Sequence, residues 1–173
     1  MNIKLTLKSR AKNPPADSLR LYKGPISEQE TELRRRTTTK TTALLMSLHT
    51  FRIAGLFIFV IYGLSEGVLP PTFAYSAGVG DFLIAIAAIP LAYLLIRRVR
   101  FSRGLAIVWN GFGLLDFALA YALGTDPKAT ATMLSFPWVI IPAGLVPIFV
   151  TIHGIILYRL IHNNGQTLHI VKS

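Results

Sequence analysis

Residues 72–96 read TFAYSAGVGDFLIAIAAIPLAYLLI and carry one charged side chain, Asp81. A helix rises 1.5 Å per residue, so about 20 apolar residues cover the roughly 30 Å hydrocarbon core of a bilayer. This stretch is long enough with residues to spare. A helix that apolar on every side has no solvated face, which suits lipid better than water. Three other runs share its character, at about residues 43–64, 104–123 and 136–158. A backbone facing lipid must satisfy its own hydrogen bonds, which selects helices. The expected fold is therefore an all-α membrane protein, a four-transmembrane-helix bundle.

Composition agrees with this reading. Hydrophobic residues make up 52% of the chain and charged residues 15%, against about 25% charged in globular proteins. The net charge is +10, yet ten of the eighteen Lys and Arg residues lie within residues 1–40 and four more within 97–103. Bases that flank apolar spans act as topology signals and as contacts to anionic lipid headgroups. No RNA-binding or zinc-finger pattern accompanies them, so nucleic acid is not the expected partner. Cysteine is absent, which excludes disulfides, thiolate nucleophiles and cysteine metal sites. The first 40 residues are polar and show no cleavable signal, so the first span is expected to act as its own insertion signal.

The basic residues alternate from loop to loop. The N-terminal tail has ten, the segment before Phe73 has none, the 97–103 loop has Arg97, Arg98, Arg100 and Arg103, and the 124–135 loop has only Lys128. This predicts an N-in/C-in protein of the inner (cytoplasmic) membrane. Tyr62, Phe73, Tyr75, Tyr121 and Trp138 would form an aromatic belt at the outer ends, with Tyr93, Phe101 and Tyr158 at the inner ends.

Three regions follow: a basic cytoplasmic tail at 1–40, the bundle at 41–161 and a C-terminal tail at 162–173. Within the first tail, Ser27 with Glu30 makes a capping-box pattern, and Glu30–Arg34 and Glu32–Arg36 are favourable i,i+4 pairs. A short helix near 27–36 would carry Arg34, Arg35 and Arg36 to the membrane surface or to a partner. The competing reading is a flexible tail that only enforces topology. Ile3, Leu5 and Leu7 alternate like a strand, as do Leu168 and Ile170, so the termini have the pattern for a small two-stranded pairing.

Ionisable groups within the spans each cost about 2.5–3.5 kcal/mol on insertion scales and need a reason to be there. Depth counting puts Arg52, Asp81 and Asp116, from three different spans, in one layer near the midplane. An Arg52 ion pair with one or both carboxylates is the simplest chemistry, because a guanidinium binds two acceptors at once. Asn110 completes the intramembrane polar set. Gly78, Asp81, Ala85, Ala88 and Ala92 form a small-residue stripe that lets helices approach closely. Asn110 and Asp116 are offset by about 120° around the third span and need not serve one site. Two roles compete for this layer: a lock that holds the helices together, or a coupling site for protons or cations.

The fourth span carries Pro137, Pro142 and Pro147. Pro142 and Pro147 mark it as a possible hinge, although prolines are also commoner in membrane helices generally. His49 and His153 lie at comparable depths on different helices. They read either as hydrogen-bonded structural groups or as axial ligands of a b-type haem. Residue patterns for a nucleophile elbow, a zinc-protease helix or a phosphate loop are missing. No catalytic residue and no metal site are therefore expected.

The strings LPPTFAYSAGVGD (69–81), WNGFGLLDFALAYALG (109–124) and FPWVIIPAGLVPIFVTIH (136–153) resemble a functionally uncharacterised family of small bacterial four-helix integral membrane proteins. The resemblance covers about residues 50–160 and excludes the basic tail. It implies a four-helix membrane fold with recurrent polar positions at Asp81, Asn110, Asp116 and His153, together with the last span's prolines. It implies no activity. The functional expectation is a non-enzymatic accessory or scaffold subunit, forming a homo-oligomer or docked to other membrane subunits. The alternatives are a small-solute or ion transporter coupled through Asp81 or Asp116, and a haem- or quinone-associated electron-transfer protein.

Overall fold

The computed structural model describes residues 25–162. The N- and C-terminal segments proposed to pair as strands lie outside the described residues. Two compact units divide the chain at residue 37, and the second contains all the apolar helices' packing.

Among the described residues the secondary structure is helical throughout, and no strand occurs. Helix α1 spans Pro25–Leu48. Proline is favoured at a helix's first position because the N–H it lacks has no acceptor there. Ser27 thus falls inside the first turn rather than ahead of it, and the short helix expected near 27–36 is the start of a longer one. Glu32 and Arg36 form the i,i+4 pair at 3.0 Å. The helix continues through the threonines that follow, whose hydroxyls donate back one turn, Thr37 to Leu33 O and Thr42 to Thr38 O.

Beyond α1 the backbone stays helical but changes pitch. Residues His49–Arg52 are a tight 3₁₀ turn and Leu56–Tyr62 a wide π segment. The helix stops at Gly67, whose φ of 64° closes a Schellman motif with Val68 N–H on Gly63 O and Gly67 N–H on Leu64 O. Helix α2 spans Pro71–Ile96, with Pro71 at its first position. It ends on a second Schellman motif in which Arg98, at φ 54°, takes the place usually held by glycine. Helix α3 spans Ser102–Leu123. A short helix, α4, spans Pro127–Met133, and helix α5 spans Val146–His162, preceded by a π segment at Ile141–Leu145.

Several of these helices are long and apolar enough to cross a membrane: Gln29–Ser65, Pro71–Ile96, Ser102–Leu123 and Ile141–His162. The last begins five residues later than the sequence suggested. Residues 136–140 are mostly turn, with a cis Phe136–Pro137 bond.

The side-chain distribution is inverted relative to a soluble protein. Leu83, Ile86, Ile89, Phe112, Leu115 and Ile148 are each more than half exposed, whereas His49, Asn110 and His153 are fully buried and Arg52 nearly so. Water would penalise that surface and lipid does not. Two apolar clusters fill the interior. One gathers Met46, Ile84, Ala88, Trp109 and Ile156, and the other gathers Phe59, Leu69, Phe73, Ala77 and Met133. Gly78, Ala85, Ala88 and Ala92 are buried along α2, so the small-residue stripe is where the helices meet. The polar residues fall between the two clusters along the helices.

Candidate functional site

Arg52 ends the 3₁₀ turn, and its guanidinium reaches every other apolar helix. Nε donates to Asp81 Oδ1 on α2 at 2.6 Å, and Nη2 lies 2.6 Å from the same oxygen. Nη2 also donates to Asp116 Oδ2 on α3. Nη1 lies 3.3 Å from His153 Nε2 on α5. The plane is covered by Phe117, whose ring centroid is 4.1 Å from Cζ, a cation–π contact.

Guanidinium only donates, so His153 Nε2 must accept. The proton of a neutral His153 then sits on Nδ1 and is donated to Asn110 Oδ1 at 2.7 Å. Asn110 Nδ2 in turn donates to the backbone oxygen of His153 at 2.9 Å. Asn110 and Asp116, which the 120° offset allowed to be separate, therefore join one network. Arg52 is long enough to reach past Phe117 to Asp116, while Asn110 enters through His153. Formally the layer sets one guanidinium against two carboxylates.

Glycines make the room. A β-carbon at Gly55 would overlap the Asp81 carboxylate, one at Gly80 would overlap Asp116 Oδ1, and one at Gly113 would overlap the His153 ring. Each ionisable side chain that meets Arg52 thus occupies a notch left by a glycine on a neighbouring helix. None of these three glycines stands out in the small-residue stripe that the sequence shows. A glycine facing a polar residue at equal depth on another span is the signal that would have found them.

His49 has a different environment. It is fully buried against His153 (ring centroids 4.0 Å apart), Trp109 (5.2 Å, edge-on) and Phe149 (5.2 Å). Neither of its ring nitrogens has a hydrogen-bond partner in the protein. The pair does not fit a haem. The two rings lie against each other with no gap for a macrocycle, and both nitrogens of His153 are already engaged by Arg52 and Asn110. No group of three or more potential metal ligands occurs among the described residues.

Pro142 and Pro147 are both exposed on the bundle surface, away from Arg52. Pro142 lies in the π segment, where the wider turn accommodates a residue that cannot donate. Of the basic residues, Arg34, Arg35, Arg36, Arg97, Arg98 and Arg100 are exposed. Arg97 donates to Tyr93 Oη at 3.0 Å, and Arg103 Nη2 reaches Ile161 O at the C-terminal end of α5, where a cation is favoured.

An unforeseen feature is α4. Asp126 caps it by accepting from the N–H groups of Lys128 and Ala129 at 2.9 and 3.1 Å. Thr132 Oγ1 ties it to Val68 O at 2.7 Å, and Ala129 and Met133 are buried in the cluster with Leu69 and Phe73. The helix closes one end of the bundle.

No curated protein and no solved structure matches the chain. A family described as a domain of unknown function, DUF8737, matches residues 29–161, and the chain belongs to that family.

Proposed function

We propose that this is a non-enzymatic scaffold or accessory subunit of a larger assembly in a bacterial inner membrane. It crosses the bilayer four times with both ends in the cytoplasm, and the basic segments at Arg34–Arg36 and Arg97–Arg103 face anionic headgroups. The observation that carries this reading is Arg52, whose guanidinium engages side chains from the three other apolar helices. Charges engaged in this way hold helices together.

The subunit half of the proposal draws on α3. Gly104, Gly111 and Ala118 recur every seven residues, all three are exposed, and open space lies where a β-carbon would sit on either glycine. Outward small residues at that spacing suit close packing of another membrane helix, whether from a second copy or from a different subunit. Purification in mild detergent should yield an oligomer or a stoichiometric partner, and Gly111→Leu should release it while leaving the fold intact. A monomer without a partner would sink the proposal.

A transport reading keeps one specific support, the excess of two carboxylates over one guanidinium. It predicts that Asp81→Asn and Asp116→Asn abolish flux in liposomes without affecting assembly.

A further inference from the structure

A groove of about 530 Å³ runs along the outside of the bundle between α2 and α3. Its walls include Ala87, Leu91, Trp109 and Phe112, and one end is formed by Gly80 and Asp116. Leu83, Val108 and Phe112 are more than half exposed along it, so it opens to the surroundings of the bundle rather than to its core. Its volume is in the range of small-molecule sites. On α3 the groove face lies roughly a quarter turn from the Gly104–Gly111–Ala118 stripe, so the two surfaces are distinct.

Asp116 divides its carboxylate between two neighbourhoods. Oδ2 takes the Arg52 hydrogen bond, whereas Oδ1 is turned toward Gly80 at the end of the groove. Arg52 already serves Asp81, and the acceptor role of His153 Nε2 keeps that ring from supplying a second positive charge. Formally two carboxylates face one guanidinium, and the accessible edge of the layer, at Asp116, opens into an apolar slot. Trp109 and Phe112 add aromatic faces, which attract cations.

We propose that this groove binds a lipophilic monocation, its charged group against Asp116 and its apolar body along Ala87 and Leu91. The site lies beyond the scaffold role and does not depend on it.

The test uses full-length protein carrying Trp138→Phe, which leaves Trp109 as the reporter, in lipid nanodiscs. Tetraphenylphosphonium should change Trp109 fluorescence saturably, after subtraction of partition into protein-free discs. Tetraphenylborate, of matching shape and opposite charge, should not. Asp116→Asn should weaken phosphonium binding at least tenfold. Ala87→Phe, which fills the groove without touching the Arg52 network, should abolish it in a protein that still assembles. Equal responses to the two ions, or binding undiminished in Ala87→Phe, would overturn the proposal and leave the groove as a cleft for acyl chains. Because assembly is scored separately, loss of the scaffold reading and loss of this site give different results.

Discussion

Gly113 lies so close to the imidazole of His153 that a β-carbon at position 113 would overlap its Cε1 and Nε2 atoms. The same relation holds between Gly55 and Asp81 and between Gly80 and Asp116. Overpacking of this kind typically costs about 1–3 kcal/mol. Gly113→Ala and Gly55→Ala should therefore lower the thermal midpoint in detergent. Gly144→Ala and Gly154→Ala, which meet open space, should leave it unchanged or raise it, since alanine is the better helix former. Equal midpoints for the two sets would show that the notches are not needed.

Arg52→Met keeps most of the side-chain volume and removes the charge, stranding Asp81 and Asp116 without a counter-ion. Breaking a buried pair from one side costs about 3–5 kcal/mol, whereas removing all the charges together is often neutral. Arg52→Met should thus be poorly folded, and the triple variant Arg52→Met/Asp81→Asn/Asp116→Asn should recover most of the lost stability. Size-exclusion profiles and thermal scans read both. A triple variant no better than the single one would mean that the layer does more than neutralise itself.

The two buried histidines should respond oppositely to substitution. His153→Phe leaves Asn110 Oδ1 without its donor and Arg52 Nη1 without its acceptor, and an orphaned buried polar group costs about 1–3 kcal/mol. His49 has no hydrogen bond in the protein to lose and already packs among rings. His49→Phe should leave the thermal midpoint unchanged or raise it. A drop as large as that of His153→Phe would indicate that His49 carries an interaction of its own.

The sequence read clearly wherever one dimension sufficed. Long apolar runs mark candidate spans by composition alone, and a constant rise per residue ranks Arg52, Asp81 and Asp116 by depth. What failed to read was azimuth and pitch. Whether Asn110 shares a site with Asp116 depends on how α3 is rotated against α5, and that is decided by Gly113 accepting the His153 ring. The 3₁₀ and π turns around Arg52 shift the angular position of every later residue, and no local composition signals them. Helix α4 was legible but overlooked. Asp126 followed by Pro127 is an N-cap and first-position pair, the local signature of a helix start inside the 124–135 connection.

Helix α4 supplies its own check. Asp126→Ala removes the cap from two backbone donors, a loss of about 1 kcal/mol. Thr132→Val removes the bond to Val68 O while keeping the volume. Each should raise amide hydrogen exchange across residues 127–133, and the pair together should raise it more. Exchange along α2 should stay as it is. Spread of the effect into α2 would mean that α4 is part of the bundle's cooperative core rather than a cover over one end.

The absence of native cysteine makes the proposed four-crossing, both-ends-inside arrangement directly measurable. Ser65, Val99 and Lys128 are exposed positions in three successive connections or helix ends. Each can be replaced by cysteine without disturbing the cluster at 97–103. In spheroplasts a membrane-impermeant maleimide should label Ser65→Cys and Lys128→Cys, and should reach Val99→Cys only after lysis. That pattern follows from the four Arg residues around Val99 and the single Lys128 in the next connection, because lysine and arginine are retained on the cytoplasmic side. Labelling of Val99→Cys in intact spheroplasts would invert the protein. The Arg97–Arg103 cluster would then lie outside, where it has no anionic inner leaflet to meet.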